Sequence, residues 1–167
     1  MSSLTRVIAS LLILAAPLAS SAEARTTAAD RARIASEIKQ RITRMFEAFN
    51  AHDAAKVQAL VLENDAPDLV LMNHGQPETH GIAPDMAAAM AQVNDLQSKA
   101  IISDITVDVA QDGDMAVLHA HYDYTLTDPA TKAPVREIGN WIAVYVRQLD
   151  GRMAMKWDIA ADLPPMR

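Results

Sequence analysis

The apolar residues of this chain change their period once. Up to about Ser98 they recur at three- and four-residue steps, and beyond it they alternate. A helical block followed by a strand block predicts helices first and an antiparallel meander afterwards, so the class is α+β, with helices laid on one face of a curved sheet. A first helix runs from Asp30, its N-cap, and carries Ile34, Ile38, Ile42, Met45, Phe46 and Phe49. Asn50–Asp53 breaks the pattern. Asp53 then caps a short helix with Val57, Leu60 and Val61, which Asn64-Asp65-Ala66-Pro67 ends. A strand over 68–73 and a turn-rich loop over 74–81 lead to a third helix over 82–99, with Ile82, Met86, Met90, Val93 and Leu96 on one face and Pro84 in its first turn. Four strands follow, over 101–110, 115–127, 135–149 and 152–160. Asp112-Gly113 and Asp150-Gly151 are tight hairpin turns.

Alternation assigns faces within the meander. In 115–127 the apolar set is Leu118, Ala120, Tyr122, Tyr124 and Leu126, and the opposite set is Val117, His119, His121, Asp123 and Thr125. The first set is the better partner for the helices. In 139–147 both sets are largely apolar, Trp141, Ala143 and Tyr145 against Asn140, Ile142, Val144 and Val146. In the last strand, strict alternation puts Met153, Met155, Trp157 and Ile159 together, with Lys156 and Asp158 opposite. A sheet apolar on both faces needs cover on both. Helices supply one cover, and a second copy of the chain, paired through the sheet, is the expected other.

The first 24 residues read as an address. Arg6, an apolar run over 7–16, Pro17 and the small-residue ending Ala22-Glu23-Ala24 form a secretory signal with an A-x-A cleavage pattern. The run is too short to span a bilayer. The expectation is a single domain over 25–167, periplasmic or secreted, with no membrane insertion after cleavage. A net charge of −6 argues against a nucleic-acid partner, and the lack of Cys removes thiolate chemistry and disulfides.

The second half carries a resemblance. Asp112-Gly113-Asp114, then Gly139-Asn140-Trp141-Ile142-Ala143-Val144-Tyr145-Val146, then Asp150-Gly151 with Lys156-Trp157-Asp158-Ile159 and a following Pro164 resemble the ending of the SnoaL-like and ketosteroid-isomerase-like branch of the nuclear-transport-factor-like superfamily. The order of elements from about residue 32 to 165 agrees with it. The resemblance implies a cystatin-like α+β cone, a curved mixed or antiparallel sheet wrapped around three helices, with a pocket between them. It places Met45, Phe49, Met72, Leu118, Tyr122, Trp141, Ala143 and Asp158 at that pocket, and the loop bearing His74 and His80 at its mouth. It also marks departures. The isomerases' oxyanion-donating Tyr falls at Met45, their base at Met72 or Asn73, and their second acid near Ala143, so ketosteroid isomerisation is not supported.

Asp158 is the first candidate for chemistry. A carboxyl partly desolvated among aromatic walls gains basicity and serves as a general base. The same carboxyl also serves as a hydrogen-bonding anchor for a ligand, or as a partner of Lys156 on the same face. Tyr122 and Trp141 offer flat apolar surface with a hydroxyl and an indole N–H. His119-x-His121-x-Asp123 puts two imidazoles and a carboxyl on one strand face, but opposite the pocket and without a further ligand, so no metal site is assigned. No nucleotide, metalloprotease or serine-hydrolase motif occurs, and no cofactor is expected. Three readings follow. The chain is an exported binder of a small apolar or carbonyl-containing molecule, or a proton-transfer enzyme (isomerase, cyclase or dehydratase) using Asp158, or a dimerisation and interaction domain.

Overall fold

The computed structural model describes residues 26–73, 75–128 and 130–163. The predicted signal and His74 lie outside these residues. The elements are α1 (Ala28–Asn50), α2 (Ala54–Asn64), β1 (Asp65–Asn73), β2 (Thr79–His80), α3 (Ile82–Asn94), β3 (Lys99–Val109), β4 (Met115–Thr127), β5 (Pro134–Arg147) and β6 (Met153–Asp162). Three helices cover one face of a curved, unclosed six-stranded sheet of order β2-β1-β6-β5-β4-β3. The meander from β3 to β6 is antiparallel, as its period required, and β1 joins β6 in parallel. The sheet is therefore mixed, and the α+β cone expected from the sequence is the fold.

Local chemistry sets the helix ends. Thr27, not Asp30, caps α1. Its hydroxyl accepts from Asp30 N–H, and the Asp30 carboxylate accepts back from Thr27 N–H, a reciprocal capping box that moves Asp30 to the third helical position. Asp53 caps α2 as expected, accepting from Lys56 N–H at 3.0 Å. α3 stops at Asn94, short of the predicted 99. The Asp95 carboxylate accepts instead from Gln97 N–H and from the backbone and hydroxyl of Thr127, which turns the chain toward β4 and leaves Leu96 82% exposed.

Two apolar clusters fill the cone. Ile34, Ile38, Ile42 and Phe46 of α1 pack on Leu69, Leu118, Ala143, Tyr145 and Met155 of the sheet. Met45 and Ala48 of α1 pack on Val57, Leu60 and Val61 of α2 and on Ala89 and Val93 of α3. Asn50 fastens the end of α1 to β3, since its amide accepts from Ala100 N–H and donates to Ala100 O. Among the described residues no helix is long and apolar enough to cross a membrane.

The β4 faces are those read from alternation. Ala116, Leu118, Ala120 and Tyr122 are buried, while His121 is exposed and His119 half-buried. In β6 strict alternation fails. Val144 pairs with Trp157 but Tyr145 pairs with Met155, so Lys156 is an extra residue, a bulge that exchanges the faces beyond it. Met153 and Met155 point into the core. After the bulge Asp158 and Ala160 take the inner face, opposite Ala143 and Trp141, and Trp157 and Ile159 turn outward. The expected four-residue face is corrected accordingly.

Candidate functional site

The two clusters do not meet completely. Between α1, α3 and the inner face of the sheet they leave a cavity of about 190 Å3. The chain is poor in aromatic residues, yet both Phe, two of its three Tyr and one of its two Trp line this one space. Phe46 sits at its centre, with ring centroids 6.0 Å from Trp141, 6.1 Å from Tyr124 and 6.1 Å from Phe49. Tyr122 and Tyr124 stand 5.0 Å apart. Asn73, Gln92, Tyr122 and Tyr124 also border a wider, more open vestibule with Gln76, Asn94, Asp95 and Lys132, which leads outward past α3.

Asp158 reaches the inner wall because of the bulge one turn of the pleat earlier. Its Oδ1 accepts from the indole N–H of Trp141. Burial, followed by the nearby charge of Asp85, raises its carboxyl, and the indole bond only partly offsets this, leaving it at about 7. Lys156 is not its partner. The bulge carries Lys156 to Asp68, where its ammonium meets the carboxylate and donates to the carbonyl O at 2.9 Å. The expected Lys156–Asp158 pair is thus corrected.

Two further carboxyls line the cavity. Asp65, the first residue of β1, is 1% exposed, and its Oδ1 accepts from the Asn64 amide at 3.1 Å. Asn64 itself accepts from the Tyr145 hydroxyl at 3.2 Å. Asp85, in the first turn of α3, hydrogen-bonds the Asp65 carboxyl. No protein donor reaches Asp65 Oδ2. Two carboxyls in contact satisfy that oxygen only by holding a proton between them, and burial raises both, Asp65 to about 9. Among the described residues no Lys, Arg or His lines the cavity. Sequence reading missed this pair because Asp65 lay in an apparent helix stop before Pro67 and Asp85 matched an ordinary first-turn acid. The only signal was that each lies within two residues of a proline, Pro67 and Pro84.

Of the residues expected at the pocket, Met45, Phe49, Tyr122, Trp141 and Asp158 line the cavity. Leu118 and Ala143, both fully buried, lie in the core beneath it. Met72 points to the other side of β1, bordering a shallow groove with Gln76, Glu78 and Ala161, while its neighbour Asn73 takes the inner position. His80 is exposed and bonds Glu78 at 2.8 Å. Tyr122 has a second role, for its hydroxyl donates to the Asp162 carboxylate at the cavity rim. This bond and burial hold its phenol strongly in the protonated form. The outward His row is engaged elsewhere. His121 bonds Asp104 at 3.1 Å, and Asp123 forms a two-pronged pair with Arg136. Among the described residues no three such side chains converge as a metal would need.

The model of the SnoaL-like domain matches residues 42–155, more than half of the chain. Several solved structures share the architecture. A nuclear transport factor 2-like superfamily protein from Salmonella enterica serovar Typhimurium is 13% identical with a TM-score of 0.63, over 81% of this chain and 95% of that one. A ketosteroid isomerase-like protein from Erwinia carotovora atroseptica is 18% identical with a TM-score of 0.57, over 78% and 96%. An NTF2-like protein with a cystatin-like fold from Novosphingobium aromaticivorans is 18% identical with a TM-score of 0.58, over 77% and 80%. At these identities the likeness is one of fold. No curated protein matches the chain.

Proposed function

This chain belongs to the SnoaL-like domain family, and from that premise we propose that it binds a small, largely apolar molecule in the cone cavity. The carrying observation is the gathering of five of the chain's aromatic side chains around one space of about 190 Å3 whose polar lining includes three inward-facing carboxyls. A cavity somewhat smaller than this, about 150 Å3, accepts benzene when its walls are apolar. The fitting ligand is therefore a single ring or its aliphatic equivalent, and any longer substituent extends into the vestibule. A ligand of this size and polarity is held by ring contacts and oriented by Asp158, Asn73 and Gln92.

A second reading, proton transfer on a carbonyl compound, is favoured by one observation. Asp158, held at about 7, stands beside a carboxyl pair that retains a proton. A base and an acid whose proton affinities are driven apart by their surroundings are what isomerisation or dehydration requires. In that reaction Asp158 removes a proton from the carbon next to the carbonyl, and the Asp65–Asp85 pair lies in the same cavity as a hydrogen-bond donor.

The N-terminal address supports export to the periplasm or beyond, and the apolar outer face of the sheet supports a homodimer. Cavity filling tests the binding reading. Ala89→Phe places a ring into the space and should abolish saturable binding of benzyl alcohol while leaving the fold intact, as read by heat of binding and circular dichroism. Equal binding by that variant would place the site elsewhere. The proton-transfer reading predicts that the protein catalyses exchange of the activated protons of phenylacetone into heavy water and that Asp158→Asn abolishes it. Exchange undiminished in that variant sinks Asp158 as the base.

A further inference from the structure

We propose that the molecule taken up by the cavity is a small organic cation, an apolar body of about ring size bearing one protonated nitrogen. This rests on the binding reading above and names its ligand class. Three carboxyls, Asp65, Asp85 and Asp158, face a space that no cationic side chain lines among the described residues. The charged groups around them are otherwise committed. Arg41 of α1 donates to the Met153 carbonyl at 2.8 Å and pairs with Glu63, and Arg152 donates to the backbone carbonyl of Asp65 and pairs with Asp150. From β4 and β5 the cavity is met by Tyr122, Tyr124, Trp141 and the nearby Tyr145, all neutral donors.

The independent sign of a missing partner is Asp65 Oδ2, buried and reached by no N–H donor of the protein. Only the proton shared with the Asp85 carboxyl serves it. An ammonium N–H supplies the same hydrogen bond and also the positive charge that the carboxyls lack. The rings of Phe46, Tyr124 and Trp141 present faces and edges to the same space, and a desolvated cation gains from such faces. A metal ion does not fit, because among the described residues no three acidic or imidazole side chains converge on one point. The nitrogen has the reach of a ligand that can shift to meet them.

The uptake is an exchange. The cation enters with one positive charge, the proton held between Asp65 and Asp85 leaves to solvent, and the net charge of the cavity is unchanged. Lower pH holds that proton more firmly and also protonates Asp158, so cation binding must weaken as pH falls.

The test uses the full chain with benzylamine and benzyl alcohol, near-isosteric probes of which only the first is a cation near neutral pH. Calorimetric titrations run in buffers of different ionisation heat, between about pH 5.5 and 8. The expected result is benzylamine binding at least about tenfold tighter than benzyl alcohol near pH 7.5, a difference of about 1.4 kcal/mol. Binding should release protons and should strengthen by up to about tenfold per pH unit, while benzyl alcohol binding stays flat. Asp85→Asn should remove the preference for the amine without weakening the alcohol. Equal or tighter binding of benzyl alcohol overturns the cation and leaves the cavity reading standing. Failure of both probes overturns the two together. The wild-type comparison decides the matter even where a variant does not fold.

Discussion

Asp158 and the Asp65–Asp85 pair are acids whose protons are held by burial, and this has a consequence for stability. A carboxyl raised on folding contributes stability that is complete below its unfolded value and is lost as pH climbs through the folded one. For Asp158 the window runs from about pH 4 to about 7. The chain should therefore lose stability as pH rises across that window, on the order of 2 kcal/mol from Asp158 after allowance for its partial exposure. Asp158→Asn should flatten the slope in urea unfolding measured at several pH values, and an unchanged slope would contradict the assignment. Gly139 is a second decisive residue. A side-chain carbon there would fall on the Tyr122 hydroxyl and the Ala161 carbonyl. Gly139→Ala should cost about 2 kcal/mol by overpacking and should break the Tyr122–Asp162 bond. Wild-type stability in that variant would mean that Tyr122 stands differently.

At the scale of elements, the legible parts were those with one strong contrast. β4 showed its inner face because apolar and polar residues alternate without interruption from Leu118 to Thr125. β6 did not, because a bulge at Lys156 leaves no mark in composition, yet it decides that Asp158 and not Trp157 faces the cavity. The end of α3 was misplaced for a related reason. Leu96 continues the helical period, but the Asp95 carboxylate finds better partners on Thr127, and two hydrogen bonds outweigh one apolar position. Asp65 and Asp85 were hidden because they are distant in sequence and each has an ordinary local explanation. Asn50 joins elements in the same unannounced way. Asn50→Ala strips both backbone groups of Ala100 of their partner and should destabilise the chain by about 2 kcal/mol in denaturant unfolding. A loss below a few tenths of that would show that α1 is fixed to β3 by packing alone.

Across the whole molecule the helices cover one side of the sheet, and the other side remains apolar. Ile101, Val117 and Ile142 are exposed there, with Trp157 half-buried beside them. A dimer through this face is the economical cover. Ile142→Asp should shift the full chain from dimer to monomer in sedimentation velocity at micromolar concentration, and a wild-type monomer would contradict the pairing. The proposed dimer surface and the proposed ligand space lie on opposite faces of one sheet, so dimerisation leaves the cavity accessible past α3.

A ring-walled cavity desolvates the Asp158 carboxyl enough to raise it to about 7. The indole N–H of Trp141 donates to that carboxyl and reports its ionisation, while the chain's other indole, on Trp157, serves as an internal control. A pH titration of the two indole resonances by proton–nitrogen NMR is the most direct test. The account predicts a Trp141 midpoint at about 7, displaced when benzylamine or benzyl alcohol is added, with Trp157 unmoved by the probes. A Trp141 midpoint at the ordinary aspartate value, about 3.9, unaffected by either probe, would show a solvated carboxyl and no closed cavity.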